Sequence, residues 1–168
     1  MNKKAIIVVL SIISLSISPV TSFSSDNVVV EQAKGAGIEK NLKTIESLSE
    51  FLIGNAQNSG THSIWFTDAG DRRIFSSMIE SAFGDDSILN FMVVTPDLDS
   101  TAPDYTYVRF FYEPKTMIDT REQLFGDWAY KGVIAQNIVR LEKGDIHVYL
   151  MQAGAGTLVV RRELGAGF

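Results

Sequence analysis

Hydrophobic positions along the chain fall into blocks, and each block has its own period. The first block is not periodic at all. Lys3 and Lys4 precede the uncharged run Ala5–Ile17, and Pro19 breaks that run just before small residues. A positive start, a short apolar core and small residues beyond it have the order of a secretory signal peptide, and the core is short for a membrane span. Val20 and Ser22 suit cleavage before Phe23, while Ser22 and Ser24 suit cleavage before Ser25. Residues 1–22 are therefore expected to be the signal peptide. Residues 23–37 are small, polar and Gly-containing, with Val28–Val30 as their apolar feature, and they read as a flexible tether with room for a short edge strand.

From Ile38 the pattern changes. Ile38, Leu42, Ile45, Leu48 and Leu52 recur at three- and four-residue spacing with charged residues between them, which predicts an amphipathic helix ending near Gly54. "THSIWFT" (61–67) then reads as a strand. Ile74, Phe75, Met78, Ile79, Ala82 and Phe83 recur as pairs four apart, which predicts a second helix capped by Gly84. "SILNFMVVT" (87–95) is apolar on both faces and predicts an interior strand. "YTYVRFFYE" (105–113) predicts an aromatic strand, bounded by Pro103 and Pro114. Asp119 followed by Glu122 resembles a capping box and predicts a short helix in "DTREQLFGDWAY". Val133–Glu142, Asp145–Gln152 and Thr157–Leu164 follow as a three-stranded meander, joined by a Lys143-Gly144 turn and an "AGAG" loop.

Helices crowd the first half and strands the second. That order predicts one α+β domain over residues 38–168, with N-terminal helices on one face of an antiparallel sheet. The element order resembles cone-shaped domains of the nuclear-transport-factor or cystatin type, a likeness of shape that brings no functional residue with it. No internal repeat is visible in the sequence.

Charge and composition narrow the partners. Removing residues 1–22 takes two lysines and no acid, so 13 basic residues face 20 acidic ones and the net charge moves from −5 to −7. An acidic chain lacks the basic surface that nucleic acid or anionic lipid demands, so the expected partner is another protein, and membrane contact is expected only through the signal segment where it stays uncleaved. The chain has no Cys, which excludes disulfides, thiolate metal sites and Cys nucleophiles together.

Candidate chemistry is sparse. His62, Asp68 and Asp71 share one stretch, but both acids precede the predicted second helix, where capping accounts for them. Asp97, Asp99 and Asp104 supply oxygen ligands of the kind Ca²⁺ accepts, yet their loop lacks a turn Gly and a closing Glu. No nucleotide-binding loop, nucleophile elbow or zinc-protease motif is present, and no cofactor is expected. The last strands carry more geometry. A Lys143-Gly144 turn would set Arg140 opposite His147, and a four-residue "AGAG" loop would set His147 opposite Arg162. Arg140, His147 and Arg162 would then form a basic row with Tyr149 beside it, able to hold an acidic partner segment. Trp128 and Tyr130 offer a second candidate surface, because large aromatics anchor interfaces. The leading expectation is an exported, periplasmic or secreted, non-catalytic protein-binding or assembly module, of the kind that serves an envelope secretion, conjugation or pilus apparatus. An inhibitor or immunity-type protein and a small carboxylate-dependent hydrolase are the alternatives.

Overall fold

In the computed structural model, residues 8–10, 27–66, 70–96, 104–134 and 136–166 are described, with Val8–Leu10 and Ala166 described by backbone alone. The cleavage site and most of the signal segment therefore lie outside the described residues. Of that segment, a short strand β1 (Val8–Leu10) runs antiparallel beside the edge strand β2 (Asn58–Ile64).

Val28–Gly35 is not a tether but a helix, α1. Asn27 caps it by accepting from the Val29 amide, and the same side chain donates to Ser49 Oγ at 2.6 Å. Val29, Val30 and Ala33 are buried, so the short apolar run that looked like an edge strand is a helix stripe one turn long. Helical structure packed on the sheet is thus present within the stretch expected to be a tether. The periodic stretch forms the second helix, α2 (Leu42–Ile53), with Ile45, Leu48 and Leu52 buried and Gly54 at its end as predicted, but it starts one turn later, and buried Ile38 lies ahead of it. Asp71 Oδ1 accepts from the Glu39 and Lys40 amides at 2.9 and 3.1 Å. It does cap, as its position suggested, but it serves the turn entering α2 rather than a helix of its own.

Residues 75–83 form a strand, not the predicted second helix. Strands β3 (Phe75–Phe83), β4 (Asp86–Val94) and β5 (Asp104–Glu113) continue from β2 as an antiparallel meander. The misreading has a simple cause. Apolar pairs four apart also fit a strand, with Phe75 and Ile79 on one face and Met78 and Ala82 on the other. The inward positions between them hold Ser77 and Ser81, whose hydroxyls are satisfied inside the core. Ser63 Oγ donates to Ser77 Oγ at 3.1 Å, and Ser81 Oγ donates to the Leu52 carbonyl at 3.2 Å. Gly84, with φ of 66°, opens a two-residue hairpin turn with Asp85 instead of capping a helix.

The third helix, α3 (Met117–Leu124), starts slightly earlier than expected, with Thr116 as its cap and Asp119 answering it from three residues on. The C-terminal meander has four strands rather than three: β6 (Ala129–Ile134), β7 (Ile138–Lys143), β8 (Ile146–Ala153) and β9 (Gly156–Ala166). The predicted strand 133–142 folds back on itself at Gln136, whose φ of 73° makes the bend.

The last strand, β9, pairs with β5, so the spatial order is β1-β2-β3-β4-β5-β9-β8-β7-β6. The result is an α+β domain with three helices on an open antiparallel sheet. Leaving β1 aside, each half is a helical segment followed by a four-stranded meander, and the two halves meet at their last strands. This topological repeat leaves no mark in the sequence because topology depends on turn positions and side-chain parity, not on residue identity. Each half has its own core on the helix-covered face. One joins Val29, Ile45, Leu48, Phe75, Ile79, Met92 and Tyr107; the other joins Phe125, Leu141, Val148, Leu150 and Val159.

Candidate functional site

Side chains alternate across a strand, so the face opposite the helices can be read from the register. Met78, Phe91, Val108, Arg162, His147 and Glu142 make one row across it. Leu89, Phe110, Val160, Tyr149 and Arg140 make the next, and Tyr112, Leu158, Met151 and Ile138 a third. No described helix covers these rows. Met78, Leu89, Phe91 and Tyr112 are exposed, and Leu164 on the same face is 61 % exposed. The aromatic strand β5 accordingly divides its rings: Tyr105 and Tyr107 are buried under the helices, and Phe110 and Tyr112 belong to the open face.

One end of this face is charged. His147 stands opposite Arg162, as predicted, but Arg140 stands opposite Tyr149 and not His147. Gly144, with φ of 60°, takes the first turn position, so the turn is Gly144-Asp145 and every pair shifts by one residue on each side. Glu142 fills the place expected for Arg140 in the row. It pairs with Arg140 Nη2, lies 3.3 Å from Lys131 Nζ, and lies 3.0 Å from His147 Nδ1. Desolvation works against the Glu142 carboxylate, but the hydrogen bonds from Arg140 and Lys131 outweigh it and hold its pKa below the ordinary glutamate value. The predicted basic row is thus a cluster built around an acid. Among the described residues no carboxylate pairs with Arg162, which is exposed amid Val108, Val160 and Leu164.

Trp128 and Tyr130 belong elsewhere. The Trp128 ring meets Phe125 edge-on at 5.3 Å and packs on the smaller core, half-buried. Tyr130 is exposed on the helix-covered face, with the Arg121 guanidinium 5.3 Å from its ring centre. His62 lies on β2 opposite Met78, and Asp68, its prospective partner, lies outside the described residues. Asp97 and Asp99 also lie outside them, and Asp104 opens β5 opposite Ala166. Among the described residues no group of three or more His, Asp or Glu side chains could hold a metal ion, and no helix is long and apolar enough to cross a membrane.

The helix-covered face carries a second polar group that the sequence reading did not single out. At the middle of the two central strands, Arg109 on β5 stands directly opposite Arg161 on β9. Arg109 Nη2 donates to the Phe51 carbonyl in the last turn of α2 at 2.9 Å, and its guanidinium lies over the Phe51 ring at 4.6 Å. Tyr107 donates its hydroxyl to Glu163 Oε2, which lies 3.6 Å from Arg161 Nη2. Burial first, and the Glu163 hydrogen bond second, push the Tyr107 phenol up to about 12. Burial lowers the Arg109 pKa, and the neighbouring Arg161 charge acts in the same direction. Strand parity alone could have paired these arginines, had the β5–β9 partnership been legible.

No family model matches the chain, no curated protein matches it, and no solved structure matches it.

Proposed function

We propose that the chain is an exported, non-catalytic module that binds another protein in the cell envelope through the open face of its sheet. The observation that supports this reading is the uncovered apolar surface formed by Met78, Leu89, Phe91, Phe110, Tyr112 and Leu164. Eight strands about 4.8 Å apart, over about six residues at 3.3 Å each, give a face of roughly 750 Å². A standard interface takes about 800 Å² from each partner, so this face is of the right size for a specific complex. Arg162 defines the partner's chemistry. A cation that no carboxylate pairs among the described residues, with Val108 on one side and His147 on the other, calls for a carboxylate on the incoming surface. The periplasmic location rests on the signal-like segment at residues 1–22, and an envelope assembly is the setting that such a module serves.

Fractionation and co-purification test both parts. The mature chain is expected in the periplasmic fraction, beginning at Phe23 or Ser25. Phe91→Asp, and separately Arg140→Glu with Arg162→Glu, are expected to stay folded and lose the partner that the unaltered chain retains. Trp128→Ala is expected to keep it. Retention of the same partner by all the variants contradicts the proposal.

A further inference from the structure

The two helix-covered cores part along the central strands, and the seam between them is floored by charge. Tyr107 closes one core and Val159 closes the other, while Arg109 and Arg161 occupy the positions between. We infer that this seam is a binding site for a compact oxyanion, a carboxylate or a phosphate, held between Arg109 and Arg161. It lies on the face opposite the proposed protein-binding surface and stands independently of it.

Three features carry the inference. Like charges directly opposite on paired strands repel, so an Arg–Arg pair at the centre of a sheet is a cost that something must offset. Glu163 offsets one of the two charges, and its Oε2 is already engaged by the Tyr107 hydroxyl. Two cations and one carboxylate leave a single positive charge, which one carboxylate or one singly charged phosphate would neutralise. Second, the Nε atoms of both arginines are buried and, among the described residues, have no hydrogen-bond partner. Buried donors are normally satisfied, and these two belong to arginines that stand directly opposite one another. Third, Arg109 is held in place by the Phe51 carbonyl and ring while its Nε stays free, so one half of the grip is pre-organised. Arg161, with its side chain 30 % exposed, keeps the seam open to solvent. Guanidinium forks match carboxylate and phosphate oxygens in pairs, and water-poor surroundings strengthen the match.

The test is titration of the whole chain with sodium acetate and, separately, inorganic phosphate, against sodium chloride at the same ionic strength. The readouts are the ¹⁵N signals of the arginine Nε–H groups and the thermal midpoint. Saturable shifts of the Arg109 and Arg161 Nε–H signals with acetate or phosphate, absent with chloride, are expected, together with a rise in midpoint. Arg161→Gln is expected to weaken binding at least tenfold, and Arg161→Lys to weaken it less. Acetate acting alone identifies a carboxylate ligand, and phosphate acting alone or more strongly identifies a phosphate ligand. Equal effects of chloride, or no shift at either Nε–H in the unaltered chain, overturn the inference whatever the variants do.

Discussion

Ile79 and Met78 are neighbours in sequence and would share one stripe of a helix, but the strand β3 sends them to opposite faces. Ile79 is fully buried, and Met78 is 41 % exposed. Ile79→Ala removes three buried carbons, worth about 2.4 kcal/mol at about 0.8 kcal/mol per CH₂. The cavity left between α2, β3 and β4 raises the loss toward about 4 kcal/mol, within the span seen for Ile→Ala changes in cores. Met78→Ala removes a side chain that already meets solvent, and its expected cost is below about 1 kcal/mol. Urea unfolding followed by tryptophan fluorescence measures both, with unchanged m values confirming that the comparison is of stability alone. Similar losses at the two positions would refute the strand and restore a helix. A small loss at Ile79 would refute the core.

Two titrations probe the charged groups. The Glu142 carboxyl is expected to titrate below the ordinary glutamate value of about 4.3, and Arg140→Ala with Lys131→Ala to return it upward, as read by carboxyl ¹³C shifts. Its contribution to stability is complete above the unfolded value and is lost as pH falls through the lower folded one. Tyr107 is expected to ionise near 12, above the pKa of an unburied phenol, by absorbance of the phenolate. Its stabilising effect holds below the unfolded pKa of about 10 and fades as pH rises through the folded value.

How much was legible depended on whether the deciding fact was local. The stripe of α2 repeats across the whole helix and could be read directly. The α+β class followed from the order of elements, even with three stretches misassigned: 28–35, 75–83 and 133–142. Residues 74–83 were not legible because Ser77 and Ser81, polar in sequence, are buried and satisfied by Ser63, Leu52 and Asn90 on other elements. The Gln136 bend failed because a non-glycine residue takes a left-handed conformation there. At the site, the His147–Arg162 pair was legible because one short loop sets it, and Arg140 was misplaced by the one-residue choice of turn. The Arg109–Arg161 pair required knowing that β5 and β9 adjoin. Strands separated by most of the domain carry no local signal of their pairing.

If the open face of the sheet is where the chain meets its partner, contact with that partner is made at Phe91 and not at α3. A photo-crosslinking residue placed at Phe91 on that face, and in a second chain at Ile118 on exposed α3, measures this in intact cells. A single protein adduct is expected from position 91, lost when Arg162 is changed to Glu, with no such adduct from position 118. An adduct of the same protein from position 118 and none from position 91 would contradict that site of contact.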